Sequence, residues 1–137
     1  MYEILVVSHS TLCKGFNEAI GMILGREASI EYLELDDEGI ELFHKRLKEK
    51  IEKLKGEDKD LLILADLFGG TPFNKALCEA SRDNKIKVIS GVNLAMIIEA
   101  IMNKTSNLDE AVLNIVESGK GSIIQGIILN NKHCDDE

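Results

Sequence analysis

Residues 61–74 read LLILADLFGGTPFN, and this stretch decides the fold. The first five positions are all apolar, which suits a short strand buried on both faces, as in a parallel sheet. Asp66 ends the run abruptly. Gly69 and Gly70 allow a tight turn that brings backbone N–H groups close to a ligand. Thr71 can cap a helix, and Pro72 suits its first turn, where a missing N–H costs nothing. The order is strand, carboxylate, glycine turn, helix start. A carboxylate at the carboxyl end of a parallel strand, beside a helix N-terminus, stands where open α/β sheets bind ligands. An ordinary strand–turn–helix joint with a capping Asp has the same spacing, so the motif alone leaves both readings open.

Working outward, the same alternation repeats. Residues 3–7 (EILVV) form a first buried strand, followed by the polar break Ser8, His9, Ser10, Thr11. A helix is expected over residues 12–24, with Gly25 at its stop. Residues 30–35 give a second strand. Ile40, Phe43, Leu47, Ile51 and Leu54 make one apolar stripe on a long, lysine-rich helix that ends at Gly56. After the third strand, the helix following Pro72 buries Phe73, Ala76, Leu77 and Ala80. Residues 86–89 (IKVI) form a fourth strand, and Asn93 caps a helix carrying Met96, Ile97, Ala100 and Ile101. Ser106 and Asp109 form a capping pair for a further helix, which Gly119 and Gly121 stop. Residues 123–129 read as a fifth strand, and residues 131–137 as a polar tail. The expected fold class is α/β: a doubly wound, mainly parallel sheet of flavodoxin-like order with helices on both faces. One domain is expected over residues 1–130.

Composition narrows the functions. A chain of 137 residues buries about 68% of its unfolded surface, enough for a core. The net charge of −8 argues against nucleic acid and anionic membranes, which demand basic patches. No apolar run reaches the ~18 residues of a membrane span, and the N-terminus has no signal-peptide pattern. The three cysteines (Cys13, Cys78, Cys134) are scattered without CxxC, which fits a reduced, cytoplasmic protein.

Three loops follow strand ends: residues 8–11, 66–71 and 90–93. In flavodoxin-like order the first and third strands are neighbours, so His9 and Asp66 can meet. A carboxylate that accepts one ring N–H fixes the tautomer and leaves the other nitrogen as a nucleophile. It also stabilises the cation formed when that nitrogen bonds an electrophile. The glycine turn offers backbone donors to an anion, and Thr71, Ser8 or Ser10 can add a hydroxyl. That collection suits a phosphoryl group moving on and off histidine. GxGxxG and GxxxxGK[ST] are both absent, so neither a dinucleotide nor ATP is expected, and no cofactor is assigned. His44, on the long helix, and His133, in the tail, read as surface residues. Three histidines without clustered carboxylates give no metal site.

LVVSHSTLCKGF, LADLFGGTPFN and ISGVNLAMIIEA together resemble the IIA domain of the mannose/fructose/sorbose family of the bacterial sugar phosphotransferase system. The resemblance implies that His9 accepts a phosphoryl group on Nε2 from the phosphocarrier protein HPr. It then passes the group to a IIB component during sugar uptake. On the same footing Asp66 orients His9, Thr71 supplies a phosphate-side hydroxyl beside that of Ser10 read above, and Gly69, Gly70 and the GVN turn at residues 91–93 frame the site. The family forms dimers in which the terminal strand crosses to the partner, with Gly119 and Gly121 as a hinge here. Ser-His-Ser at positions 8–10 also looks like the phosphotransferase subunit of dihydroxyacetone kinase. A different class is a flavodoxin-like regulatory module in which His9 only hydrogen-bonds an anion.

Overall fold

The structure is a computed structural model that describes residues 1–128. Its elements alternate as expected: β1 (Tyr2–His9), α1 (Leu12–Leu24), β2 (Glu31–Leu35), α2 (Ile40–Lys55), β3 (Asp60–Ala65), α3 (Thr71–Ala80), β4 (Ile86–Ile89), α4 (Leu94–Met102) and α5 (Leu108–Gly121). The described residues form one four-stranded sheet of order β2-β1-β3-β4, with every pairing parallel.

The apolar runs of β1 and β3 are buried on both faces because their side chains alternate between two cores. Ile4, Val6, Leu62 and Leu64 pack with Ile20 of α1, Met96 and Ile97 of α4, and Ala111 and Ile115 of α5. Leu5, Val7, Leu61 and Ile63 pack on the other face with Phe43, Leu47 and Ile51 of α2 and Phe73 and Ala76 of α3. Tyr2 donates its hydroxyl to the Ala100 carbonyl at 2.6 Å, tying the start of β1 to α4. Burial, then the nearby Glu99, pushes this phenol up to about 12, so it stays a neutral donor.

Three local expectations are corrected. The α5 N-cap is Asn107, whose side chain accepts from the Asp109 and Glu110 amides, rather than Ser106. The α3 cap position is Gly70, and Thr71 is already helical. Gly119 does not stop α5, which runs on to Gly121. It is small because Met96 leaves no room: an added Cβ would stand 2.7 Å from Met96 Cγ. Residues 123–128 adopt no regular structure and pair with no other described strand, and the exchanged strand expected there needs a partner chain. Ile123, Ile124, Ile127 and Ile128 are all exposed there. Leu129, the last residue of the expected fifth strand, lies outside the described residues, as do His133 and Cys134.

Candidate functional site

Register sets the site. Val7 pairs with Ala65 across β1 and β3, so His9 and Asp66 both emerge just past the last paired rung. Asp66 Oδ2 lies 2.8 Å from His9 Nδ1 and accepts the His9 amide at 2.8 Å. Its Oδ1 accepts the Leu67 amide at 2.8 Å. The expected meeting of His9 and Asp66 is therefore present in the geometry. The His9 side chain is 45% exposed and that of Asp66 only 11%.

Burial raises the Asp66 carboxyl, but hydrogen bonds from the His9 amide, the His9 ring and the Leu67 amide outweigh it. The net effect holds Asp66 below the usual carboxylate range. An ionised carboxylate only accepts, so the proton between the pair belongs to Nδ1. In the neutral ring the Nε2 lone pair is then free.

The glycine loop is built for close approach. Gly69 has φ 79°, a conformation that favours glycine. Gly70 has an ordinary φ of −75°, and its requirement is space: a Cβ there would stand 2.9 Å from His9 Cε1. The Gly70 amide is spent on the Leu67 carbonyl at 3.0 Å, so this N–H does not face a ligand. The first helical bond runs from Asn74 to Gly70 at 2.9 Å, which leaves the Thr71 and Phe73 amides ahead of it as N-terminal donors.

Ser10 follows His9 at φ 50°, held there by its amide donating to the Leu35 carbonyl at 2.7 Å. Ser8 does not join the site. It is buried, and its hydroxyl accepts the Cys13 amide at 2.9 Å, capping α1 from behind. Cys13 is inert: burial pushes its thiol up to about 11, only partly offset by its hydrogen bonds to Ser8 and Leu33. The 90–93 turn is pinned by the Val92 amide on the Ala65 carbonyl at 3.0 Å, and Asn93 caps α4 by accepting the Met96 amide at 3.0 Å.

Two supports carried no role in the sequence reading. Asn74 donates its side-chain amide to the Gly69 carbonyl at 2.9 Å and pins the loop. Phe68, 76% exposed, leans on Phe73 with ring centroids 5.1 Å apart. Asn74 stands one turn past the glycines, a spacing that lets a side-chain amide reach back over a helix start.

His44 is not a free surface residue. Its Nε2 lies 2.9 Å from Glu79 Oε2, with the two side chains only 21% and 14% exposed. Histidine and carboxylate therefore do cluster here, 35 residues apart in sequence, against the expectation. The signal was present, since His44 stands four residues after Ile40 and three before Leu47, on the stripe that α2 buries.

His9 is thus a half-exposed imidazole with an ionised carboxylate behind it and the start of α3 beside it, on a doubly wound sheet. Residues 3–116 match the family described as PTS system fructose IIA component, and the chain belongs to that family, as a IIA component of the mannose/sorbose/fructose type. It is 28% identical to the sorbose-specific EIIA component of Lacticaseibacillus casei, over 97% of this chain and 99% of that one. It is also 28% identical to the fructose-specific EIIA component of Bacillus subtilis, over 74% and 69% of the respective chains. The mannose/sorbose-specific IIA subunit of Enterococcus faecalis superposes with a TM-score of 0.87 at 25% identity, covering 94% of this chain and 97% of that one. Among the described residues no helix is long and apolar enough to cross a membrane.

Proposed function

We propose that His9 carries a phosphoryl group on Nε2, accepting it from phospho-HPr and handing it to a IIB component that serves sugar uptake. The observation that carries this reading is the 2.8 Å contact between His9 Nδ1 and Asp66 Oδ2. It leaves Nε2 as the available nucleophile on a side chain that is half exposed. The Nε2 lone pair attacks phosphorus, and the bond to the donor's nitrogen breaks, returning that electron pair to the donor. His9 becomes cationic at that moment, and Asp66, already ionised, accepts the Nδ1–H and stabilises the charge. The Thr71 and Phe73 amides, with the hydroxyls of Ser10 and Thr71, supply donors to the phosphoryl oxygens. Onward transfer reverses the same steps with the IIB acceptor. The described residues fold as one domain that works in the cytoplasm.

Incubation with phosphoenolpyruvate, enzyme I and HPr tests the reading. Intact mass should rise by one phosphoryl group in the wild type and not in His9→Ala. A fully labelled mutant overturns it, and an unlabelled wild type that still binds anions favours the regulatory module instead.

A homodimer belongs to the same proposal. Four exposed isoleucines in residues 123–128 follow α5 without a strand partner, and the outer strand β4 pairs on one side only among the described residues. Strand exchange would cover both. Light scattering should give a dimer for the full chain and a monomer or aggregate for a chain ending at Ser122. A well-folded full-length monomer at micromolar concentration contradicts it.

A further inference from the structure

We propose that His44, Cys78 and Glu79 form a zinc-binding site that bridges α2 and α3. One ligand atom from each lies within 4.8 Å of the other two, and all three residues are partly buried. The cluster is remote in role from His9, and the phosphoryl-transfer reading makes no use of it.

The donor set selects the ion. Zn²⁺ takes imidazole nitrogen, thiolate sulfur and carboxylate oxygen at about 2.0–2.3 Å in tetrahedral geometry. Donors around such an ion stand roughly 3.3–3.8 Å apart, so small side-chain rotations suffice here. His44 Nε2 and Glu79 Oε2, now 2.9 Å apart, would open to admit the ion, and Cys78 Sγ would swing in. Sulfur in the set argues against Mg²⁺ and Ca²⁺, which prefer oxygen alone.

A cleft of about 300 Å³ beside the cluster is lined by Lys45, Lys48 and Lys75, with Glu41 and Ile40. Those ammonium groups would repel a bare dication. A thiolate and a carboxylate together neutralise Zn²⁺, so the lysines face no net charge once the ion is bound. Binding is proton-balanced: Cys78 releases its thiol proton to solvent as the S–Zn bond forms, and His44 changes tautomer through solvent, giving up the Nε2 hydrogen that now faces Glu79 and taking one on Nδ1, so that its Nε2 lone pair reaches the ion. A water fills the fourth position. Three protein ligands from two helices would clamp α2 to the end of α3, the helix whose other end carries the glycine loop.

The test uses the full-length, metal-free, reduced protein. Titration with Co²⁺ as a spectroscopic stand-in should give one ion per chain with a thiolate-to-cobalt charge-transfer band. Zn²⁺ should displace the Co²⁺ and raise the Tm. Cys78→Ser should abolish the band, and His44→Gln or Glu79→Gln should weaken binding by more than about 10-fold, since outer-shell losses alone cost that much. The double variant His133→Asn, Cys134→Ser should bind as the wild type does. Each variant is melted without metal, so a folding defect is distinguished from a lost ligand, and the three single variants test the site independently. The proposal is overturned if one-to-one uptake is absent at micromolar metal, if the band survives Cys78→Ser, or if it disappears with the tail variant.

Discussion

Two histidine–carboxylate pairs sit in this molecule at nearly the same separation, His9–Asp66 at 2.8 Å and His44–Glu79 at 2.9 Å. They differ in which nitrogen is engaged and in what surrounds it. Asp66 holds Nδ1, the nitrogen nearer the backbone, and leaves the outer Nε2 available on a half-exposed side chain beside a helix start. Glu79 holds Nε2 itself, on a side chain only 21% exposed between two packed helices. The remaining nitrogen of His44 is Nδ1, the one nearer the backbone. Pair distance therefore does not make a nucleophile; the free atom and its access do. The first pair grows from strand ends and a glycine loop, where backbone donors converge. The second grows from helix faces, where side chains converge and a metal ion is the better guest.

Substitutions separate the two pairs, beginning with the largest effect. His9→Ala should remove phosphoryl acceptance altogether while leaving the thermal transition in place, because His9 stands at the exposed end of β1. Gly70→Ala should come next. Its methyl group would press on His9 Cε1, from which a Cβ stands 2.9 Å away, and turn the ring off line. A misplacement of that size costs on the order of 100-fold in rate, read by rapid-quench transfer from phospho-HPr. A neutral Gly70→Ala would show that the ring has slack.

Asp66→Asn should slow transfer by about 10- to 100-fold, the usual scale for a lost orienting partner, without abolishing it. The same variant carries a stability signature. Because the folded-state carboxyl lies below its unfolded value, its contribution is fully present above the unfolded pKa. It is lost as pH falls through the folded value. The wild type should therefore exceed Asp66→Asn in denaturant midpoint near neutrality, and the gap should close in acid. A gap independent of pH would refute the account of the carboxylate.

The smallest effect is on stability alone. Gly119→Ala should cost about 1–3 kcal/mol by overpacking against Met96, measured by urea unfolding, with phosphoryl transfer retained by the folded fraction. A stabilised variant would mean that Met96 yields freely.

The strand–helix alternation, the sheet order and the His9–Asp66 meeting were legible because each rests on local pattern: buried runs, helical stripes and strand ends. What escaped depended on contacts between distant segments. Gly70 reads as a turn glycine, yet its backbone is ordinary and the His9 ring, 61 residues earlier in the numbering, is what demands it. Gly119 reads as a helix stop, yet Met96 on α4 explains it. Ser8 reads as a site hydroxyl, but strand alternation turns it inward to cap α1 while its neighbour His9 points out. Glu79 carried no role in the sequence reading, because His44 meets it only once α2 and α3 pack together. Thr71 and Ser106 are good capping types, displaced by one position, since cap identity follows backbone geometry that residue preference alone does not fix.

The central claim is that His9 Nε2 is the phosphoryl-bearing atom. Phosphorus NMR of the phosphorylated, ¹⁵N-histidine-labelled protein, combined with peptide mapping, reads both the residue and the nitrogen. The account predicts a single phosphohistidine at position 9 with phosphorus coupled to Nε2. Coupling to Nδ1, or label on His44, would contradict it.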